Sequence, residues 1–189
     1  MNTRFLKLTS FTILFLLAYV IITQTIPVFA SSPTPYTHPP SFGGDRFQFS
    51  DGLAINGKVF DISKFSQKID TQNLVIGKSS TITLKIFDNH GPTTITTGIV
   101  FLNIKGHVTD TSQSDTWIKY TIGEGVTVHD PHHLLGKVTA SYSIGPPFGY
   151  MKFSITPVNP MKISTMIVSA WDDKNGAVNS TIFDAIKFS

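Results

Sequence analysis

The sequence predicts an all-β fold: a two-sheet antiparallel β-sandwich, Ig-like in the loose sense, behind an N-terminal signal or anchor segment. Three observations support this. From Arg46 onward apolar and polar residues alternate with period two. Turn residues break that alternation at short intervals. No stretch holds a convincing helical period, while Phe, Thr, Ser and Ile, which suit pleated half-buried surfaces, recur throughout. A series of short strands separated by regular turns is the pattern of two packed sheets.

Residues 1–30 read as a secretory signal peptide. Arg4 and Lys7 make a short positive region, 11–22 is apolar, and Val28 and Ala30 stand at −3 and −1 before Ser31. The alternative is an uncleaved membrane anchor. The stretch 5–30 is long enough to span a bilayer if Lys7, Thr9, Ser10 and Gln24 are tolerated. Both readings put the rest of the chain outside the cytoplasm, secreted or on the cell surface. Residues 31–44 (SSPTPYTHPPSFGG) are rich in Pro, Ser and Gly and read as an extended linker. Residues 45–189 are left as the β domain.

Within that domain the first strands fall at 58–62 and 74–76, followed by a turn at Gly77-Lys78. Segment 81–88 alternates cleanly, with Ile82, Leu84 and Ile86 on one face. Asn89-His90-Gly91-Pro92 is a turn by composition. Segment 94–104 is apolar on both faces near 100–102, which predicts a central strand. A polar loop at 105–115 leads to strands at 117–122 and 126–129. Strand 137–144 should point Val138, Ala140, Tyr142 and Ile144 inward. The next strand is marked by Met151, Phe153 and Ile155. Segments 163–171 and 178–188 close the series, joined by Asp172-Asp173-Lys174-Asn175-Gly176, whose Asn-Gly pair is a hairpin signal. The total is about eight to ten strands.

Composition excludes several functions. Loss of the first thirty residues removes Arg4 and Lys7 and lowers the formal charge from +3 to +1. A near-neutral domain without a Lys/Arg cluster has no electrostatic footprint for nucleic acid. Cysteine is absent, so disulfides, thiolate metal sites, cysteine nucleophiles and blue-copper centres are all excluded. Glu124 is the only glutamate, so a glycosidase pair would have to be two aspartates. Asp172 and Asp173 are adjacent and point apart. No G-x-S-x-G elbow is present, and no spacing among Ser, His and Asp suggests a triad. The sequence therefore predicts no enzyme. Asn179-Ser180-Thr181 is a glycosylation sequon, in keeping with export.

The densest chemistry is Val128-His129-Asp130-Pro131-His132-His133-Leu134, with three of the six histidines. If Val126 and Val128 face inward, His129 faces out. Asp130 and Pro131 suit the first two positions of a turn. Imidazoles beside a carboxylate suit copper, zinc or nickel. His132 and His133 are neighbours, however, and neighbouring side chains in extended backbone diverge. At most two of these histidines share an ion, so a full site needs a further ligand such as His90, His107 or a methionine. The methionines Met151 and Met166 alternate with core residues and read as packing. The alternative is a polar hairpin turn in which Asp130 and the histidines cap backbone groups. The spacing matches no strong zinc pattern.

The segments FDISKFS, VIGKSSTITLKIFDNHGPTTI, SDTWIKY, VHDPHHLLG and MIVSAWDDKNGAVNSTIFDAI together resemble a group of exported β-rich proteins of ammonia-oxidising archaea. The resemblance runs from about Phe60 onward. It implies an exported β-rich domain with no assigned activity, in organisms that depend on extracytoplasmic copper proteins. The functional expectation is a non-catalytic extracytoplasmic module that binds an envelope protein or glycan, or serves as envelope structure, without a cofactor. It would touch a membrane only through an uncleaved N-terminal segment. The alternative is an accessory protein for copper (or zinc) built on His129, Asp130, His132 and His133, with His90 and His107 as further donors.

Overall fold

A computed structural model of the protein describes residues 38–44 and 51–189. The expected signal or anchor at 1–30 lies outside the described residues, as does the first half of the linker. Among the described residues the fold is all-β apart from two single-turn 3-10 helices, Pro92–Thr94 and Thr111–Gln113. No helix there is long and apolar enough to cross a membrane.

Thirteen strands form two sheets. In chain order they are β1 (Ser41–Phe42), β2 (Leu53–Ile55), β3 (Lys58–Phe60), β4 (Ser66–Lys68), β5 (Gln72–Leu74), β6 (Ser80–Phe87) and β7 (Ile95–Ile104). Then follow β8 (Thr116–Thr121), β9 (Gly125–His129), β10 (Leu135–Gly145), β11 (Phe148–Pro157), β12 (Met161–Asp172) and β13 (Ala177–Phe188). The six-stranded sheet runs β10-β11-β6-β2-β3, with β1 also on β6. The seven-stranded sheet runs β4-β13-β12-β7-β8-β9, with β5 also on β13. Pairing is antiparallel throughout, except that β4 and β5 run parallel to β13.

The alternation explains how the sheets meet. Every second residue of β6 is buried, and Ile82, Leu84 and Ile86 are fully enclosed. Across the ladder they stand beside Met151 and Phe153 of β11. The same core contains Val100, Leu102, Ile118, Met166, Val168 and Ile182 from the other sheet. Gly98 of β7 marks the closest approach, because a Cβ there would strike the Met151 sulfur. β7 lies between β12 and β8, as its doubly apolar stretch predicts.

Some expectations need amendment. The stretch 53–60 is a hairpin, β2–β3, turning through Asn56 (φ 49°) and Gly57 (φ 82°). Two left-handed residues in succession are what a tight type I′ turn requires. The tail of the linker is not free: Ser41–Phe42 pairs with β6, and Phe42 is buried. Ile144 does not point into the core but is 48% exposed, near the end of the edge strand β10. The turn at 172–176 does join a hairpin, β12–β13. There Asp172 Oδ1 accepts from the Lys174 and Gly176 amides at 2.8 and 2.7 Å, so its carboxylate is committed to the turn itself.

Candidate functional site

The histidine turn is not a hairpin. β9 is an edge of the seven-stranded sheet and β10 an edge of the six-stranded one, so residues 130–134 cross between sheets. Asp130 organises the crossing. Its Oδ1 accepts from the Leu134 amide at 3.0 Å and the Thr116 hydroxyl at 3.3 Å, and its Oδ2 accepts from the Leu135 amide at 2.7 Å. The His133 amide donates to the Asp130 carbonyl at 3.1 Å, closing the turn with Pro131 in the second position. His133 takes φ 51°, and its carbonyl accepts from the Asn159 side chain at 2.8 Å. Asp130 thus caps as expected, whereas the histidines do not.

Two of the turn's three histidines have a side-chain neighbour of their own. His129 stacks on Trp117 of the adjacent strand, with ring centroids 5.5 Å apart and planes 19° apart. His132 Nε2 stands 3.5 Å from Asp115 Oδ2. His107 lies at the same end of β7 but over β13, stacked on Phe183 at 4.7 Å. Its Nε2 reaches Asp184 Oδ2 at 3.2 Å, where Lys68 Nζ also binds at 2.8 Å. Hydrogen bonds from Lys68, then His107, hold the Asp184 carboxyl below its ordinary value. His90 sits at the opposite end of β7, beside the buried Asp88 at 3.4 Å. The fold therefore gathers His107, His129, His132 and His133 at one end and sends His90 to the other. Among the described residues no group of three or more His, Asp or Glu side chains is placed to hold a metal ion.

Two features at the histidine end were not legible as a site in the sequence. The first is a row of ring-bearing side chains on the solvent side of the seven-stranded sheet. The ladder aligns Ile167, Phe101, Trp117 and His129 on four successive strands; the last three carry the rings, and Ile167 is buried. Their neighbours along the strands, Val100, Ile118 and Val168, point into the core, so the row faces outward. One step along, the aligned residues are Ser169, Ile99, Lys119 and Thr127. Beyond them Trp171, Thr97 and Lys119 help line a depression of about 280 Å³.

The second feature is a cavity of about 730 Å³ beyond Phe101 and Trp117, at the ends of β7 and β8. Ile104, Leu134 and Met161 supply buried apolar wall, Lys105, Asp115 and Lys162 supply charge, and His132 adds an imidazole. A smaller recess of about 240 Å³ shares Asn103, Lys105 and Asp115 with it and adds Ser112 and Gln113. The outer face thus carries hydrogen-bonding recesses at both ends and rings between them. Period-two reading places Trp117 and Lys119 on one face, but only the strand register shows that Phe101 and His129 join them.

No protein-family model matches the chain, and none of the curated proteins compared with it matches. The functional reading is accordingly built from the geometry.

Proposed function

We propose that this protein is a non-catalytic extracytoplasmic binding module, a β-sandwich Ig-like in the loose sense, that holds an envelope glycan on the outer face of its seven-stranded sheet. The observation that carries this reading is the in-register row Phe101–Trp117–His129. Aromatic faces carry partial negative charge and attract the C–H-rich faces of sugar rings, while large rigid rings lose little entropy on binding. Thr97, Lys119, Thr127 and Asn175 supply hydrogen-bonding groups around the rings, as glycan hydroxyls require. An extended sheet face with recesses at both ends suits a chain more than a single small molecule.

The test is affinity electrophoresis of the protein through gels containing polysaccharide extracted from the source organism's envelope. Wild-type protein is retarded. Trp117→Ala should weaken retention by roughly tenfold, the scale of losing one anchoring aromatic. Lys152→Ala, on an exposed position of β11 in the other sheet, should behave as wild type. Unaltered retention of a folded Trp117→Ala variant would remove the outer face from consideration.

A further inference from the structure

The cavity at the histidine end is charged in a way that the ring row is not. Lys105 and Lys162 reach it from two different strand ends, Asp115 completes its charged lining, and His132 stands beside Asp115. Among the described residues neither lysine forms an ion pair with a protein carboxylate. Asp115 is the one acidic group in the lining, and it lies 3.5 Å from the His132 imidazole. Two lysines therefore share the lining with one carboxylate. Buried Ile104, Leu134 and Met161 form low-dielectric wall behind these charges, and Ile163 adds an apolar surface that is 52% exposed. A concave wall of that kind concentrates the field of the lysines. The volume of about 730 Å³ lies in the range of small-ligand sites.

We infer that this cavity is an anion subsite that takes an acidic sugar residue, a carboxylate or sulfate borne on a ring. Lys105 and Lys162 bind the anionic group. The apolar wall receives the ring, and Asn103 is placed at the lining to meet a hydroxyl. His132 has a different role from that of a metal ligand. It stands beside Asp115, the one acidic group in the lining. The inference rests on the glycan reading for the body of the ligand but not for its charge.

The test uses the purified full-length protein and two probes, D-glucuronate and uncharged D-glucose, followed by amide NMR shifts. Glucuronate should give saturable shifts at Ile104, Lys105 and Gly106, and glucose should bind about tenfold more weakly or less. The double substitution Lys105→Gln and Lys162→Gln, at two exposed positions, should weaken glucuronate binding by roughly tenfold. Asp115→Asn should strengthen it. The anion subsite is overturned if glucose and glucuronate bind alike, if the double variant binds glucuronate unaltered, or if no saturation is reached by about 100 mM. Trp117→Ala separates the two readings. It should weaken retention by the polymer roughly tenfold yet leave glucuronate affinity within about twofold. Glucuronate binding without polymer binding keeps the subsite and rejects the glycan face. Polymer binding without glucuronate binding does the reverse.

Discussion

Asp130 shows how a residue chosen for suspected chemistry can be explained by backbone accounting. A chain that leaves one sheet for another abandons its ladder, and the freed amides need acceptors. Asp130 serves Leu134 and Leu135, both buried, together with the Thr116 hydroxyl. Asp130→Ala should destabilise the protein by about 2 kcal/mol, because the lost hydrogen bonds are charge-assisted and the amides they leave lie in a partly buried turn. Urea unfolding measures this directly, and a loss no larger than that of an ordinary surface substitution would refute the capping role. Asp184 offers a pH test at the same scale. Its carboxyl is held below the ordinary value of 3.8 by Lys68 and His107. A depressed value in the folded state means that the carboxylate stabilises the fold above the ordinary value and stops doing so as pH falls through the folded one. The difference in Tm between wild type and Asp184→Asn should therefore be full at neutral pH and shrink only below about pH 4. A difference that stays constant down to pH 2 would assign the effect to packing against Phe183 instead.

At the scale of elements, the central strands were written plainly and the short ones were not. β6, β7 and β11 alternate over eight or ten residues; the buried faces of β6 and β11 are those expected, and β7 is central as expected. β1, β2, β3, β4 and β5 have two or three residues each, too few for any period to register. Their place is set by partners distant in sequence, as when Ser66 meets Thr181. The Asn56-Gly57 pair was the one local sign of β2–β3, and it is as strong a hairpin signal as Asn175-Gly176. The histidine turn was legible as a turn but not as a crossing between sheets, since both outcomes begin with the same Asp-Pro. The site was harder still, because a row across four strands has no spacing in the sequence. Packing between the sheets makes its own prediction. Gly98→Ala should cost about 1–3 kcal/mol, since its methyl would overlap the Met151 sulfur in a filled core. Combined with Met151→Ala, the pair should cost less than the sum of the two single changes, because the shortened side chain vacates the space the methyl needs. Additive costs in denaturant unfolding would place the strain elsewhere.

For the whole molecule, the two sheets divide the work. The core is shared, but the ring row, both outer recesses and two of the four gathered histidines, His107 and His129, belong to the seven-stranded sheet or its loops. That sheet owes its closure to β13. The strand lies inside the sheet, with β12 on one side and β4 and β5 on the other. Yet β4 and β5 precede it by more than half the domain, and they pair with nothing else in the ladder. Contacts between segments so far apart form slowly, because the entropy of closing the loop is lost before the pairing returns anything. Until β13 has been made, β12 presents an open edge and the strands that will flank β13 have no partner. The strand that completes the sheet thus sets the pace of its assembly. A nascent chain without it carries every residue of the ring row but leaves β12, which flanks that row, with an open edge.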